Sequence, residues 1–403
     1  MRIALLDLYT NGHHLKYASE LIKYLHEKGH EVMFITLEKD ERVNEALISK
    51  YPFLTLAYLS NKGTKIRLNS SLFLRQFRTI RILARAFKIA EQWGADILHL
   101  LYLTTFPPLY LLSSKPWHFK LFGSLFGVPA LITASRRDKS NAIDDILERL
   151  HRFFFSQAVK KAFHGIFIHN VYPQAVKKAL FEQLNWLSHY QNRVLFLHDP
   201  IYEDFYTYVT QDEARESLKL PQDSPILLFF GELTHGKGLD ILLEAMKEID
   251  KELCIVIAGS PTHFSKEDIN YYKKQLRSSQ RVIDRLGFVP ENEVPYYFMS
   301  ADAIVMPYRR SYDAGTSGIL MQAFSARKPV ICTDVGTIGQ IVKSNSLGIV
   351  VTPESSHSLA SGILNFLEEM DKIKDEVQNS ATTYMSKAKW EKIADEIESA
   401  YGM

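Results

Sequence analysis

The sequence predicts an α/β protein with two doubly wound domains, each built on a parallel sheet, that face each other across a cleft. Short apolar runs alternate with helical patterns along the chain, which is typical of parallel strands joined by crossover helices. A length of 403 residues suits two or three domains. With 46% hydrophobic and 23% charged residues, the composition is that of a globular protein and argues against a disordered or fibrous chain.

The first half opens with a βαβ unit. An apolar run over residues 2–8 is followed by apolar residues at helical spacing, and Gly29 ends that pattern before a strand over residues 32–36. Further strands are predicted over residues 97–100, 130–133, 165–168 and 194–197.

The second half repeats the alternation after a junction near residues 200–222. Its strands are predicted over residues 225–231, 253–258, 282–283, 303–306, 329–332 and 348–351. Ligands of such sheets bind at the carboxyl ends of the strands, so the loops that follow the strands are where we expect the chemistry.

Charge is distributed unevenly along the chain. Residues 1–200 carry a net charge of +11 and residues 201–403 a net charge of −9, so we expect the two halves to face different partners. Two cysteines exclude a disulfide framework and a cysteine-rich zinc site, and we interpret them as buried residues of a reducing compartment. No apolar run reaches 18 residues and Met1 leads directly into a strand pattern, so we predict a cytoplasmic protein with neither a membrane span nor a signal peptide.

A glycine-rich loop follows the first strand of the second half. It contains Gly231, Glu232, Lys237 and Gly238, and a helix starts near Leu239. Glycines at such a turn let backbone N–H groups approach a ligand, and the helix start favours an anion. Lys237 adds a positive charge, so the loop predicts a phosphate contact. The alternative is a glycine-rich turn with a solvated lysine.

A second polar cluster spans residues 307–323. A helix is predicted to begin near Thr316, with Thr316 or Ser317 as its cap, so that its first N–H groups point at the cleft. Together with Lys237 and an arginine, this helix end could neutralise a pyrophosphate, and Gln322 lies where it could reach a ribose hydroxyl. A plain cap and a solvated arginine pair at Arg309 and Arg310 are the alternative.

Two features of the first half contain candidate binding residues. Gly12, His13 and His14 follow the first strand. His13 could bind a phosphate or accept a proton. The alternative is that both histidines are structural, which is favoured for His14. Residues 70–91 form an amphipathic helical pattern with a basic stripe that fits an anionic lipid surface or a lipid-linked phosphate, unless it is a solvated face. That stripe contains Arg75, Arg78, Arg81, Arg85 and Lys88. We found no aromatic-interleaved motif for nucleic acid.

Four further segments carry a family resemblance that extends over nearly the whole chain. Residues 286–297 read LGFVPENEVPYY, residues 301–308 read ADAIVMPY, residues 328–336 read KPVICTDVG, and residues 390–394 read WEKIA. With the two clusters above, they resemble glycosyltransferase family 4, whose members are retaining enzymes of the GT-B fold with two Rossmann-like domains.

The resemblance implies a hexosyltransferase that moves a sugar from a nucleotide diphosphate sugar to an acceptor hydroxyl of a glycan or lipid-linked glycan. The donor phosphate can take the acceptor's proton, so no carboxylate base is required. It further implies no cofactor or metal, an acceptor-side domain over residues 1–204, a donor domain over residues 205–384, and a helix over residues 385–403 that crosses back to the first domain. Peripheral contact with the inner face of a membrane is expected.

The implied catalytic residues are Lys237, His13 and Asp313. The implied donor-binding residues are Gly12, Gly231, Glu232, Lys237, Gly259, Phe288, Val289, Tyr308, Arg309, Gly315, Thr316, Ser317, Gly318 and Gln322.

The chain also departs from the family pattern. The glutamate that binds the ribose in the family is Gln322 here, and the glutamate that touches the donor sugar falls on Ala314, with Asp313 beside it. The family arginine near the diphosphate is Glu232, so Arg309 or Arg310 would supply that charge. These departures leave room for a non-catalytic GT-B subunit that binds a partner transferase or a glycan. A GT-B epimerase or phosphorylase would need an acid–base carboxylate set or a pyridoxal lysine, neither of which we located.

Overall fold

The computed structural model describes most of the chain. The described residues are 1–8, 13–37, 43, 47–59, 72–103, 112, 116–126, 153–169, 185–201, 206, 208–312, 317–336 and 338–402. They form two compact units. The first contains Met1–Asp199 and Trp390–Met403, and the second contains Pro200–Lys389.

Strands and helices alternate in both units. The strands are β1 Arg2–Leu6, β2 Glu31–Thr36, β3 Thr55–Tyr58, β4 Ile97–Leu100, β5 Lys120–Phe126, β6 Gly165–His169, β7 Val194–Leu197, β8 Ile226–Phe230, β9 Leu253–Gly259, β10 Gln280–Leu286, β11 Ala303–Met306, β12 Val330–Thr333 and β13 Gly348–Val351. The helices are α1 His13–Glu27, α2 Leu72–Trp93, α3 Gln211–Ser217, α4 Leu239–Glu248, α5 Lys266–Lys273, α6 Val294–Ser300, α7 Gly318–Ser325, α8 Ile338–Ser344, α9 Ser356–Glu368, α10 Met370–Met385 and α11 Trp390–Tyr401.

The first unit is built on a parallel seven-stranded sheet with the order β3-β2-β1-β4-β5-β6-β7. β1 is nearly all apolar and buried, as expected of a strand covered on both faces. Helix α11 packs in this unit: the Tyr401 hydroxyl lies 2.6 Å from Nδ1 of His99, and the Trp390 ring contacts that of Tyr17.

Two strands of this sheet were not predicted. β3 is short and half-buried, and β5 carries Gly123 and Ser124 in its interior, which weakens a strand pattern. The strand expected over residues 130–133 lies outside the described residues, and the strand that pairs with β4 and β6 is β5.

The second unit is built on a parallel six-stranded sheet with the order β10-β9-β8-β11-β12-β13. All six strands were predicted. The core forms where apolar side chains of β8, β9 and β11 pack against α4 and α9. Because β8 lies between β9 and β11, the strand order reverses there, and the crevice at the carboxyl ends of β8 and β11 is where such a sheet binds ligands.

Candidate functional site

The loop after β8 brings the glycine-rich motif to this crevice. Gly231 ends the strand, His235–Lys237 form a 3-10 turn, and Gly238 leads into α4. Gly238 has a φ of +70°, and a methyl group added there would lie 2.1 Å from the carbonyl oxygen of Pro307. Only glycine therefore lets this loop approach the loop after β11 so closely.

Lys237 lies in the loop after β8, and only 7% of it is exposed. A methyl group added at Gly231 would lie 2.6 Å from Lys237 Nζ and 2.9 Å from Cδ1 of Ile319, in the first turn of α7. The ammonium is thus beside the strand end and the helix start. None of the described residues hydrogen-bonds to it or forms an ion pair with it.

Burial is the main influence on the charge of Lys237. It lowers the pKa of the ammonium to about 8, while the nearby carboxylate of Glu232 acts in the opposite direction. Glu232 itself is exposed and accepts a hydrogen bond from Thr262 Oγ1 at 3.0 Å. The start of α7 carries the positive end of a helix dipole, so two positive features meet here, an arrangement that a bound anion would stabilise.

The two arginines expected to help neutralise a diphosphate each bind a carboxylate. Arg309 forms an ion pair with Asp240, and its Nε donates to the carbonyl oxygen of His235 at 3.2 Å. Arg310 pairs with Glu354 at 2.9 Å. Arg309 therefore holds the loop after β11 against the glycine-rich loop, and its proposed contact with a phosphate stays a prediction.

The start of α7 lacks the side-chain cap that Ser317 could provide. Ser317 occupies the N-cap position, but its side chain makes no capping hydrogen bond. It is buried next to Tyr308, whose hydroxyl has a pKa raised by burial. Ser317 is therefore at one of the two predicted cap positions but lacks the predicted side-chain bond, and Thr316, the other predicted cap, lies outside the described residues.

Gln322 lies one turn further along α7. Its Oε1 accepts a long hydrogen bond of 3.4 Å from the hydroxyl of Tyr206, a residue that the sequence patterns did not single out. Gly318 is exposed at the helix start, and a Cβ added there would contact none of the described residues.

Glycines end the three adjacent strands β8, β9 and β10. Gly231, Gly259 and Gly287 all have positive φ angles, and Gly287 N donates to the carbonyl oxygen of Gly259 at 3.0 Å. A Cβ at Gly259 would lie 1.9 Å from the carbonyl oxygen of Gly231, so the strand ends pack backbone to backbone. Phe288 follows with 82% of its surface exposed, beside the half-buried Val289, and such a ring can stack on a base.

Several predicted site residues lie outside the described part of the chain. They are Gly12, Asp313, Gly315 and Thr316. His13 is the first residue of α1, and its side chain, like those of Arg75 and Arg78, is also outside the described part.

The basic stripe can be followed on the second half of α2. Arg81, Arg85 and Lys88 are exposed. The helical spacing predicts an apolar stripe of Phe73, Phe77, Ile80, Ala84 and Phe87. Among the described side chains the buried stripe is Leu83, Ala86, Phe87 and Ala90, which is rotated from the predicted one and shares only Phe87 with it.

The described residues contain neither a cluster of metal ligands nor a membrane-spanning helix. No three histidine, cysteine or carboxylate side chains converge as metal ligands would. None of the described helices is long and apolar enough to cross a bilayer. A cavity of about 600 Å³ lies along the edge strand β13, but Lys237 and the glycine-rich loop are not part of its lining.

Comparison with known proteins gives the class to which this geometry corresponds. Residues 210–384 match the model of a family described as glycosyl transferases group 1, so the second unit carries the signature of that family. The chain is 28% identical over 196 residues to the putative teichuronic acid biosynthesis glycosyltransferase TuaC of Bacillus subtilis, an alignment that covers 48% of this chain and 46% of that protein. It thus spans about half the length of this relative.

Solved structures extend the likeness to both units. Sucrose-phosphate synthase of Thermosynechococcus elongatus has a TM-score of 0.74 at 19% identity, with 100% of this chain and 98% of that chain covered. HepE of Anabaena, solved in complex with UDP-glucose, has a TM-score of 0.68 at 14% identity, with 100% and 99% covered. At these identities the likeness shows the fold, which is GT-B, as predicted.

Proposed function

We propose that this protein is a retaining glycosyltransferase of family 4 that transfers a hexosyl group from a nucleotide diphosphate sugar to an acceptor hydroxyl. The observation that carries the proposal is Lys237, a buried ammonium beside Gly231 and the start of α7 at the point where the strand order reverses. None of the described residues pairs with this ammonium, and burying an unpaired cation is costly, so the site is suited to a bound anion.

The anion that fits is the diphosphate of the donor. Lys237 and the first N–H groups of α7 would bind its oxygens, and both interactions would strengthen as negative charge develops on the leaving nucleoside diphosphate. Phe288 would stack on the base and Gln322 would bind the ribose. We expect no metal ion to be needed, because the lysine and the helix end would supply the positive charge.

The acceptor is proposed to be a glycan or lipid-linked glycan in the cytoplasm, at the inner face of a membrane. Support comes from the exposed Arg81, Arg85 and Lys88 on one face of α2. Each such residue contributes about 1 kcal/mol of attraction near an anionic lipid surface. Co-sedimentation with vesicles of anionic lipid, compared with vesicles of neutral lipid, tests this part, and equal binding to both would contradict it.

Titration with UDP, GDP, ADP and their sugar conjugates tests the function. The wild-type chain should bind one of these nucleoside diphosphates. When it is given the sugar conjugate of that nucleotide, it should release the nucleoside diphosphate as a product. Lys237→Met, which keeps the volume and removes the charge, should lower turnover by about 100-fold. The matched control is Lys343→Met, which removes an exposed lysine of the same unit outside the site and should change neither binding nor turnover. Equal turnover in wild type and Lys237→Met would remove Lys237 from the mechanism.

The unliganded variant gives an independent readout. Lys237 has its pKa lowered from 10.5 in an exposed lysine to about 8 in the fold, so at pH 7 its charged form is disfavoured by folding. Lys237→Met should therefore unfold at a higher temperature than wild type when no nucleotide is present. Such a gain is expected where a residue needed for function lowers the stability of the fold.

A non-catalytic GT-B subunit is the second candidate function. It is favoured by Glu232 and Gln322 at positions where the family resemblance implies charged partners of the donor, and by the ion pairs of Arg309 and Arg310. The same titration separates the two candidates, since a subunit that binds only a partner or a glycan would leave all three nucleoside diphosphates unbound.

A further inference from the structure

The end of β8 carries a carboxylate, that of Glu232, whose direction is set by the backbone. The chain after β8 stays extended and pairs with the chain after β9: Leu233 N donates to the carbonyl oxygen of Ser260 at 2.9 Å, and His263 N donates to that of Leu233 at 3.0 Å. Side chains alternate in an extended segment, and Leu233 is fully buried. The side chain of Glu232 therefore points to the opposite side, where it is exposed.

One hydrogen bond holds this carboxylate and leaves part of it available to a ligand. Oε1 of Glu232 accepts the bond from Thr262 Oγ1, whereas the described residues supply no donor to Oε2. An ionised carboxylate has about four lone-pair positions and no hydrogen to donate. Glu232 can therefore accept further hydrogen bonds, but only from a group that carries a hydrogen.

In the order of the strand ends, Glu232 lies between the residues proposed to bind the phosphates and the base. Lys237 is in the loop after β8 and Phe288 follows β10, with β9 and Thr262 between them. Neighbouring strands are about 4.8 Å apart, so the ends of β8 and β10 are separated by about 10 Å. In a nucleoside diphosphate, the ribose joins the base to the phosphates. Its hydroxyls are the donors that a carboxylate between the two would meet.

Charge also favours a hydroxyl as the partner of Glu232. Burial lowers the pKa of Lys237 and raises that of Tyr312, and in both cases the nearby charge of Glu232 acts to raise it. A carboxylate so close to the ammonium repels a bound phosphate, unless another group of the ligand compensates for it. A hydroxyl that donates to a carboxylate does so, because a charge-assisted hydrogen bond is roughly twice as strong as a neutral one, such as that proposed for Gln322.

We infer that Glu232 binds the ribose hydroxyls of the donor and thereby selects ribonucleoside diphosphate sugars over their 2′-deoxy counterparts, an inference that rests on the proposed transferase function. Oε2 accepts a hydrogen bond from the 2′-hydroxyl, and Thr262 is the positioning residue that holds the carboxylate. The end of β8 thus supplies a charged contact that the neutral Gln322 does not supply from α7. A 2′-deoxynucleotide offers one donor fewer to this carboxylate and binds more weakly.

Paired titrations of the full-length chain test the inference. The probes are UDP, GDP and ADP, each with its 2′-deoxy counterpart, and the readout is the ratio of the two dissociation constants for the base that binds. Wild type should bind the ribonucleotide about tenfold to 100-fold more tightly, the usual range for a hydrogen bond to a charged group. Glu232→Ala should bring the ratio close to one. The ratio is decisive because repulsion between the carboxylate and the phosphates affects both nucleotides of a pair equally.

Two variants and one further probe control the test. Glu216→Ala removes an exposed carboxylate of α3 and should keep the wild-type ratio. Thr262→Val removes the hydroxyl that holds Glu232 and should give a ratio between those of wild type and Glu232→Ala. Inorganic diphosphate, which has no ribose, should bind Glu232→Ala at least as tightly as wild type, whereas a carboxylate that only maintained the loop would weaken this binding when removed.

Equal affinity of wild type for a ribonucleotide and its 2′-deoxy counterpart would overturn the inference, and so would a wild-type ratio that persists in folded Glu232→Ala. Both results leave the proposed function standing, because the nucleotide still binds and Lys237→Met still weakens its binding. A wild-type chain that binds no nucleotide would overturn the proposed function itself, and the inference with it.

Discussion

The two sheets have the same strand order over six strands but carry different side chains at the point where that order reverses. In the second unit, the ends of β8 and β11 surround the ammonium of Lys237 and the start of α7. In the first unit, the end of β1 carries the Asp7–His14 pair, and an aromatic stack covers the ends of the neighbouring strands. The topology therefore determines where each unit offers a site, and the loop residues determine what the site can do.

The net charge of each half does not indicate which side chains lie at its candidate site. The second half of the chain is acidic, with a net charge of −9, yet its candidate site is built around a buried cation. The first half is basic, yet the end of β1 carries a buried carboxylate and a histidine. A count of charges therefore separates the two halves but does not identify the ligand of either.

The largest expected effect concerns the glycine strand ends of the second unit, which have no counterpart among the described strand ends of the first. Gly259→Ala places a methyl group 1.9 Å from the carbonyl oxygen of Gly231 at a φ of +142°. We expect it to lower the free energy of unfolding by roughly 3 kcal/mol or more, measured by denaturant titration.

Gly318→Ala is the control for this substitution, because no atom of the described residues lies within 4 Å of the added Cβ. It should change the free energy of unfolding by no more than about 1 kcal/mol. If Gly259→Ala were as stable as this control, the close backbone packing of the strand ends would be disproved.

A smaller effect is expected at the exposed ring beside those strand ends. Phe288→Ala should weaken binding of the nucleoside diphosphate by about 1–3 kcal/mol, the usual contribution of one base–aromatic stack. The melting temperature should not fall, since 82% of Phe288 is exposed. Tyr271→Ala removes another exposed aromatic ring of this unit and should leave the affinity unchanged. Equal affinity in the two variants would show that Phe288 does not contact the base.

The sequence was sufficient to predict the second unit more completely than the first. Apolar runs separated by helical patterns identified all six of its strands, and the glycine-rich pattern after β8 identified Lys237. In the first sheet, β5 was missed because Gly123 and Ser124 interrupt its apolar run, although both are buried in the strand.

Sequence patterns could not predict the ion pairs and hydrogen bonds that join residues far apart in the chain. The ion pair of Arg309 joins it to Asp240, 69 residues away, and no local spacing indicates such a partner. The contact between His14 and Asp7 also depends on the assembled sheet, so the sequence alone favours a structural role for His14. The seven-residue spacing from a strand-terminal aspartate to a histidine in the first helical turn was the available signal.

The pH dependence of nucleoside diphosphate binding tests most directly whether Lys237 holds the phosphates. Burial lowers the pKa of Lys237 to about 8 in the free protein, and a bound diphosphate would raise it. The association constant of wild type should therefore fall by up to about tenfold per pH unit above pH 8, whereas Lys237→Met should bind weakly with no such slope. A wild-type affinity that stays constant from pH 7 to about pH 10 and equals that of the variant would contradict the account.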